Sequence, residues 1–316
     1  MEIHVHSWEE VSEETLTQFS FQARQQDNLI TEPPTIDTLR NAIAWWKNRD
    51  HSVPIVAYAD GQIIGWLVFF SIAPTTATIG RWHPIAQPGS TEKEISIHLL
   101  KTAITYAKEK KFERFEAELT GITSENEAMF EVYKEWYESL GMRIATEALR
   151  LERDLTKPAL VEPVFPSGFQ LRPLGQCTNA ELETPFFEMF DQSMDRFWLT
   201  LTIKQRKEAF QYWFDRNRPF VEEATTVLMK GEEIVGITVV RPIQESGMLG
   251  PIAVSPRYRR QGLGQALMAY SIQGALKSGV TKMQLEYDIT NEPALKLYNE
   301  LGFIPVHRLV LFILAL

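Results

Sequence analysis

The stretch Val254-Ser-Pro-Arg-Tyr-Arg-Arg-Gln-Gly-Leu-Gly264 decides the reading of this chain. The apolar run from Gly247 to Val254 before it predicts a buried strand. The stretch after it, Gln265-Ala-Leu-Met-Ala-Tyr-Ser-Ile, spaces apolar residues at helical period. A strand, a tight basic glycine loop and a helix start together make an anion cradle. The glycines let the backbone approach, successive N–H groups converge, and the helix N-terminus adds partial positive charge. Arg257, Arg259 and Arg260 place full charges in the same loop. The expected ligand is a compound carrying a pyrophosphate.

Spacing narrows that compound. A dinucleotide fingerprint requires a third glycine where Leu267 stands, and the Gly-Lys-Ser/Thr of a P-loop does not occur. The order Val-x-Pro-x-x-Arg and then Arg-x-x-Gly-x-Gly, with Arg259, Gly262 and Gly264 in its fixed places, resembles motif A of the GCN5-related N-acetyltransferases (GNAT). Leu285-Glu-Tyr-Asp-Ile-Thr-Asn291 and Ala294-Leu-Lys-Leu-Tyr298-Asn-Glu-Leu-Gly-Phe303 resemble the family's motif B in order and spacing. The resemblance implies an α/β fold, a mixed and mostly antiparallel sheet flanked by helices. Its fourth and fifth strands splay apart, and the cofactor enters the gap.

The unit occurs twice. Trp46-Lys-Asn-Arg49 is echoed by Trp213-Phe-Asp-Arg216, and the hairpin Ala57-Tyr-Ala-Asp-Gly-Gln-Ile-Ile-Gly65 by Leu228-Met-Lys-Gly-Glu-Glu-Ile-Val-Gly236. Tyr137-Glu-Ser-Leu-Gly-Met142 then parallels Tyr298-Asn-Glu-Leu-Gly-Phe303. A chain of 316 residues has room for two such domains. The expected division is a first GNAT-like domain over 1–155, a stiff proline-rich linker over 156–168, and a second domain over 169–316. The copies are not equivalent. Where the second has its glycine loop, the first has Gly80-Arg-Trp-His-Pro-Ile-Ala-Gln-Pro-Gly-Ser-Thr-Glu-Lys-Glu94. Two prolines there remove donors, and Glu92 and Glu94 at a helix start repel an anion. The first domain is therefore read as degenerate.

The resemblance implies transfer of an acetyl group from acetyl-CoA, the co-substrate, to a primary amine by direct attack in the second domain. The residues it assigns to the coenzyme are Arg259, Arg260, Gln261, Gly262, Leu263, Gly264 and Gln265 at the pyrophosphate. Ile252, Ala253 and Val254 offer backbone groups to the pantetheine arm and the thioester oxygen. Asn291, which caps the helix after it, turns toward the coenzyme as well. Tyr298 is the candidate acid. A phenol, with a pKa of about 10, suits protonation of a thiolate at about 8.5. Leu295, Leu297 and Leu301 around it also allow a plain core aromatic.

Glu286 is the candidate base. It shares a strand face with Gln284, while Met283, Leu285 and Tyr287 point the other way. Peptide N-terminal acetyltransferases of the family carry a glutamate and a tyrosine at these motif places, and Glu286 and Tyr298 keep the twelve-residue separation. A glutamate at about 4.3 needs burial or a water relay to act on an ammonium. Glu245 and Asp288 are the other carboxylates available. The aromatic segments around Phe186, Phe197, Trp198 and Trp213 predict helix core faces, with Phe197 and Trp198 available to an acceptor. A non-catalytic acyl-CoA-binding module, and a transferase of a longer acyl group, fit the same residues.

Composition bounds the partners. The net charge of −9 argues against nucleic acid, and no apolar run is long enough to span a membrane. The histidines lack metal-ligand spacing, and the single cysteine, Cys177, fits a reducing cytoplasm. Two units in one chain favour a monomer.

Overall fold

A computed structural model describes residues 1–26, 34–81, 83–157, 162–243 and 246–316. The chain forms two compact units, Met1–Glu147 together with His307–Leu316, and Ala148–Val306.

Unit 1 runs β1 (Glu2–Val5), α1 (Glu13–Arg24), α2 (Ile36–Lys47), β2 (Val53–Ala59), β3 (Gln62–Ala73), β4 (Thr76–Thr78), β5 (Ile85–Ala86), α3 (Glu92–Glu109), β6 (Arg114–Ile122) and α4 (Glu127–Ser139), and the chain leaves along β7 (Arg143–Asp154). Unit 2 starts within β7. It continues with β8 (Phe169–Pro173), α5 (Asn179–Asp191), α6 (Arg196–Leu199), α7 (Ile203–Trp213), β9 (Thr226–Lys230), β10 (Glu233–Ile243), β11 (Ser246–Val254), α8 (Leu263–Lys277), β12 (Lys282–Asp288) and α9 (Glu292–Glu300). The last strand, β13 (Ile304–Ala315), returns to unit 1.

Both units have the expected mixed, mostly antiparallel sheet. In unit 1 the strand order is β1-β2-β3-β4-β6-β13, with β4 and β6 its one parallel pair among the described residues. Unit 2 repeats the plan as β8-β9-β10-β11-β12-β7, with β11 and β12 parallel. The two last places are filled crosswise. The strand after α4 contributes residues 148–154 to unit 2, paired with β12 from Ala148↔Asp288 to Asp154↔Lys282. The strand after α9 pairs with β6 in unit 1 from Arg308↔Ile122 to Ala315↔Arg114. Division of the chain at a linker over 156–168 therefore crosses both units; residues 158–161 of that segment lie outside the described residues.

Local chemistry sets the helices that matter for the site. Thr178 and Thr202 cap α5 and α7 through capping boxes with Glu181 and Gln205. Asn291 caps α9, its side chain accepting from the Ala294 N–H at 3.3 Å. In β10 the side-chain alternation serves two cores. Ile237 and Val239 face the aromatic cluster of α5 and α7, while Val240 faces a cluster with Met268 and Ile272 of α8, Leu285 of β12 and Tyr298 of α9. Helix α8 sits so close to residues 222–224 that a Cβ on Gly274 would lie 2.0 Å from the Glu223 carbonyl oxygen. The Ser271 hydroxyl, bonded to the Ala224 carbonyl at 2.8 Å, fixes the same approach. Among the described residues no helix is long and apolar enough to cross a membrane.

Candidate active site

The gap is built by a pairing that stops. Strands β11 and β12 are parallel partners from Ser246↔Lys282 to Leu249↔Leu285 and no further. Beyond that point β11 stays on β10 as far as Val254, and β12 stays on β7 as far as Asp288. Each strand follows its outer neighbour, and a cleft opens between them. The Ser255 N–H donates to the Val235 carbonyl of β10 at 2.8 Å. Strand alternation then turns the main-chain groups of Val254 and Ile252 to the other edge, which faces the cleft, and those of Ala253 back to β10.

At the end of β11 the cradle takes the conformation that its sequence suggests. Arg260 (φ 61°) and Gly262 (φ 77°) adopt left-handed backbone on either side of Gln261, an alternation that turns successive N–H groups to one side. Gly262 is the N-cap of α8 and offers no side chain, and a Cβ placed on it would meet nothing within 4 Å. The first helical bond runs from the Ala266 N–H to the Gly262 carbonyl. Among the described residues the six consecutive N–H groups of residues 260–265 therefore donate to no protein acceptor. No acid stands in the first turn of α8. Such an arrangement can receive an anion with its donors already oriented.

The three arginines of the loop have three different tasks. Arg257 pairs with Glu233 at 2.5 Å. Arg259 turns back from the cradle. Its guanidinium bonds the carbonyls of Val254 at 3.0 Å, Gln192 at 2.8 Å and Met189 at 3.0 Å, tying the loop to the end of α5. Arg260 is exposed and, among the described residues, has no hydrogen bond or ion pair. Arg259→Gln is accordingly expected to destabilise the fold by about 1–3 kcal/mol in denaturant unfolding. Arg260→Ala should leave stability unchanged and weaken binding of a diphosphate-bearing ligand about two- to tenfold, with the difference shrinking at high salt.

Tyr298 lies at the cleft end of the second core, its ring 5.9 Å from Tyr287 and 6.1 Å from Phe303. It keeps 7 % of its surface exposed. Burial raises the phenol's pKa, and the Asp195 charge pushes the same way, so the group stays protonated at neutral pH. Glu286 points to the opposite face of β12. Its Oε1 takes the Arg150 guanidinium, with Nε at 3.0 Å, while Arg150 also donates to Gln284 at 3.0 Å. Asp288 holds Arg196 through Nε at 2.8 and 3.0 Å and accepts from the Thr290 N–H at 2.9 Å and hydroxyl at 2.6 Å. Asp195, N-cap of the short α6, completes the group; burial raises its pKa and the Asp288 charge adds to the shift. Glu245 lies outside the described residues.

Sequence reasoning passed over Arg150, Asp195 and Arg196. Arg150 stands 136 residues from its partner, on a strand with no local signal for the contact. The pair Asp195-Arg196 reads locally as a helix cap. Trp198, expected as an acceptor-facing ring, is instead wholly buried, stacked on Trp213 and bonded through Nε1 to Asp191 at 2.8 Å. Cys177 is buried beside Arg172, whose Nε lies 2.9 Å from the sulfur. It borders a cavity of about 410 Å³ lined also by Thr178, Arg216 and Phe220, none of them residues of the cleft.

In unit 1 the corresponding parallel pairing runs to Gly80 and Glu118. Pairing of β4 with β6 is continued by Ile79 N–H to the Glu116 carbonyl at 3.3 Å and Glu118 N–H to the Gly80 carbonyl at 3.2 Å. Buried Arg24 donates to His83 Nε2 at 2.7 Å and to the His83 carbonyl at 2.7 Å. The His83 ring lies 4.5 Å from that of Tyr133, whose hydroxyl donates to Glu92 Oε1 at 3.0 Å. Tyr137, the counterpart of Tyr298, is fully buried, stacked on Phe312, and its hydroxyl has no hydrogen-bond partner among the described residues.

The sequence profile of the acetyltransferase (GNAT) family matches residues 8–137 and again residues 184–303. The chain belongs to this family. N-alpha-acetyltransferase 30 of Xenopus laevis is 36% identical over 117 residues, 35% of this chain and 42% of that protein. The [ribosomal protein bS18]-alanine N-acetyltransferase of Escherichia coli K12 is 36% identical over 76 residues, 24% of this chain and 51% of that protein. Mycothiol acetyltransferase of Thermobispora bispora is 30% identical over 172 residues, 52% of this chain and 55% of that protein. The GNAT chain thus spans only about half, or less, of the length of these relatives. Among solved structures, a GCN5-related N-acetyltransferase of Sphaerobacter thermophilus superposes with a TM-score of 0.70 at 15% identity, over 99% of this chain and 95% of that one. A tandem GNAT protein from the clavulanic acid biosynthesis pathway gives 0.64 at 16%, over 99% and 98%. At such identities the likeness shows the GNAT fold.

Proposed function

We propose that this GNAT protein transfers the acetyl group of acetyl-CoA to a primary amine, with the chemistry in unit 2. The observation that carries this reading is the row of six N–H groups over residues 260–265 at the mouth of the cleft between β11 and β12. A diphosphate satisfies those donors. The arm attached to it then runs along the cleft-facing groups of Ile252 and Val254, and Tyr298 stands at the end of the same core. Arg260 adds an exposed positive charge, and Asn291 lies at the start of the helix that carries Tyr298.

The amine, once deprotonated, attacks the thioester carbon; a C–N bond forms and the C–S bond breaks. Tyr298 gives its proton to the departing thiolate and recovers one from the amide nitrogen. Main-chain donors directed at the developing oxyanion from the β11 edge contribute about 3–4 kcal/mol each. Unit 1, which has no Arg-x-x-Gly-x-Gly loop at the corresponding turn, is assigned no acyl-CoA site. Equilibrium titration should therefore return one acetyl-CoA per chain.

The direct test is thiol release from acetyl-CoA with a panel of primary amines. Turnover on at least one amine is expected. Protection against heat unfolding by acetyl-CoA with no release on any amine would establish a binding module instead, and stronger protection by a longer acyl-CoA would shift the assignment to that acyl group.

A further inference from the structure

Of the carboxylates on β12 and against its end, two are committed, and the third, Asp195, is the one whose charge reaches Tyr298. Glu286 holds the Arg150 guanidinium, and Asp288 holds Arg196 together with the Thr290 hydroxyl and N–H. Asp195 has no cationic partner among the described residues, and its carboxylate accepts only main-chain N–H, from Trp198 at 3.2 Å and from Phe197. The adjacent Arg196 offers it nothing. That side chain turns to Asp288, and the Arg196 N–H follows at 3.3 Å. This pins the segment between α5 and α6 to the end of β12, next to the helix that bears Tyr298. Asp195 is half-buried, caps α6, and carries a charge that reaches Tyr298; a carboxylate so placed, with no cation beside it, is a candidate for binding and chemistry.

We infer that Asp195 receives the ammonium group of the acceptor and takes its proton. The inference rests on the acetyl-transfer reading above and names its substrate class, an amine that arrives as a cation. One N–H bond of the ammonium breaks, its electron pair stays on nitrogen, and the Asp195 carboxylate gains the proton. The amine so formed attacks the thioester, and the proton is later released to solvent. The groups that face Asp195 favour this. Asp288, though paired, is a second negative charge beside it. Tyr298 and Tyr287 are neutral, and Arg196 is engaged. Burial and the Asp288 charge hold the carboxyl above the usual range, which makes it a stronger base than a solvated aspartate.

The test is Asp195→Asn, which keeps an N-cap oxygen for the Trp198 N–H and so keeps the fold. Thiol release on the best aliphatic amine is expected to fall about 100-fold or more in kcat/KM. The acid limb of the wild-type pH profile should be absent from the residual rate, and heat protection by acetyl-CoA should be unchanged. The variant should also melt higher than wild type at pH 7. A carboxyl whose folded pKa is raised destabilises the fold above that pKa and ceases to do so below its unfolded value of about 3.9, so the gain should vanish in acid. Retention of kcat/KM within threefold, with the limb intact, overturns the assignment, as does a loss of acetyl-CoA protection along with the rate. Wild type that releases no thiol on any amine defeats the acetyl-transfer reading itself, and the role of Asp195 falls with it.

Discussion

Tyr298→Phe is expected to lower kcat for thiol release about 10²- to 10⁴-fold while acetyl-CoA protects the variant against heat as well as it protects the wild type. The substitution removes one oxygen and leaves the ring among Tyr287, Phe303 and Leu301, so packing is preserved. The phenol keeps its proton at neutral pH, although burial makes it a weaker acid than a free tyrosine, and its loss leaves the departing thiolate without that donor. The matched control is Tyr137→Phe. That hydroxyl is buried with no hydrogen-bond partner among the described residues, so its removal should leave turnover intact and keep or raise stability by about 1 kcal/mol. Stopped-assay rates and melting curves of the two variants together separate an acid from a core aromatic. A Tyr298→Phe rate within threefold of wild type would end the general-acid role.

The largest structural effect is expected from where the chain is cut. Residues 156–316, the second half as a linear reading divides it, lack the strand 148–154. That strand gives β12 its antiparallel neighbour over seven register pairs, and it carries Leu151, wholly buried, and Arg153, bonded to the Leu301 carbonyl. A buried leucine alone is worth about 2–5 kcal/mol, against a total stability of about 5–15 kcal/mol for a domain. The fragment 156–316 is therefore expected to be unfolded or aggregated and to bind no acetyl-CoA. The fragment 148–306, which keeps the strand, should melt cooperatively and be stabilised by acetyl-CoA. Equal behaviour of the two fragments would show that the strand is dispensable.

How much of this was legible in the sequence depends on how far apart the interacting residues lie. The cradle was readable because its parts are contiguous: the glycines, the strand before them and the helix after them all sit within about twenty residues. The repeat was readable because the hairpins at Ala57 and Leu228 and the helices at Tyr137 and Tyr298 carry local patterns. The crosswise filling of the two sheets was not. Strands β7 and β13 show similar alternation, and alternation states which face is buried but not which edge is joined. The fate of Arg259 was hidden for the same reason. Spacing marked it as a charge of the loop, yet its acceptors are the carbonyls of Met189 and Gln192, 70 and 67 residues away. Glu286 kept its motif place, but Arg150 arrives from a strand that sequence order assigns to the other half of the chain. Asp195 stands out only through what does not reach it, and no motif records a missing cation.

The crosswise closing of the sheets has a consequence for descent. A duplicated gene whose copies each complete themselves can lose one of them without penalty. Here each half encodes the sixth strand of the other, so a deletion or a recombination break in the middle of the gene damages both products at once. The first copy, which lacks the glycine loop of the second, is thereby kept under selection as the source of a strand its sibling needs.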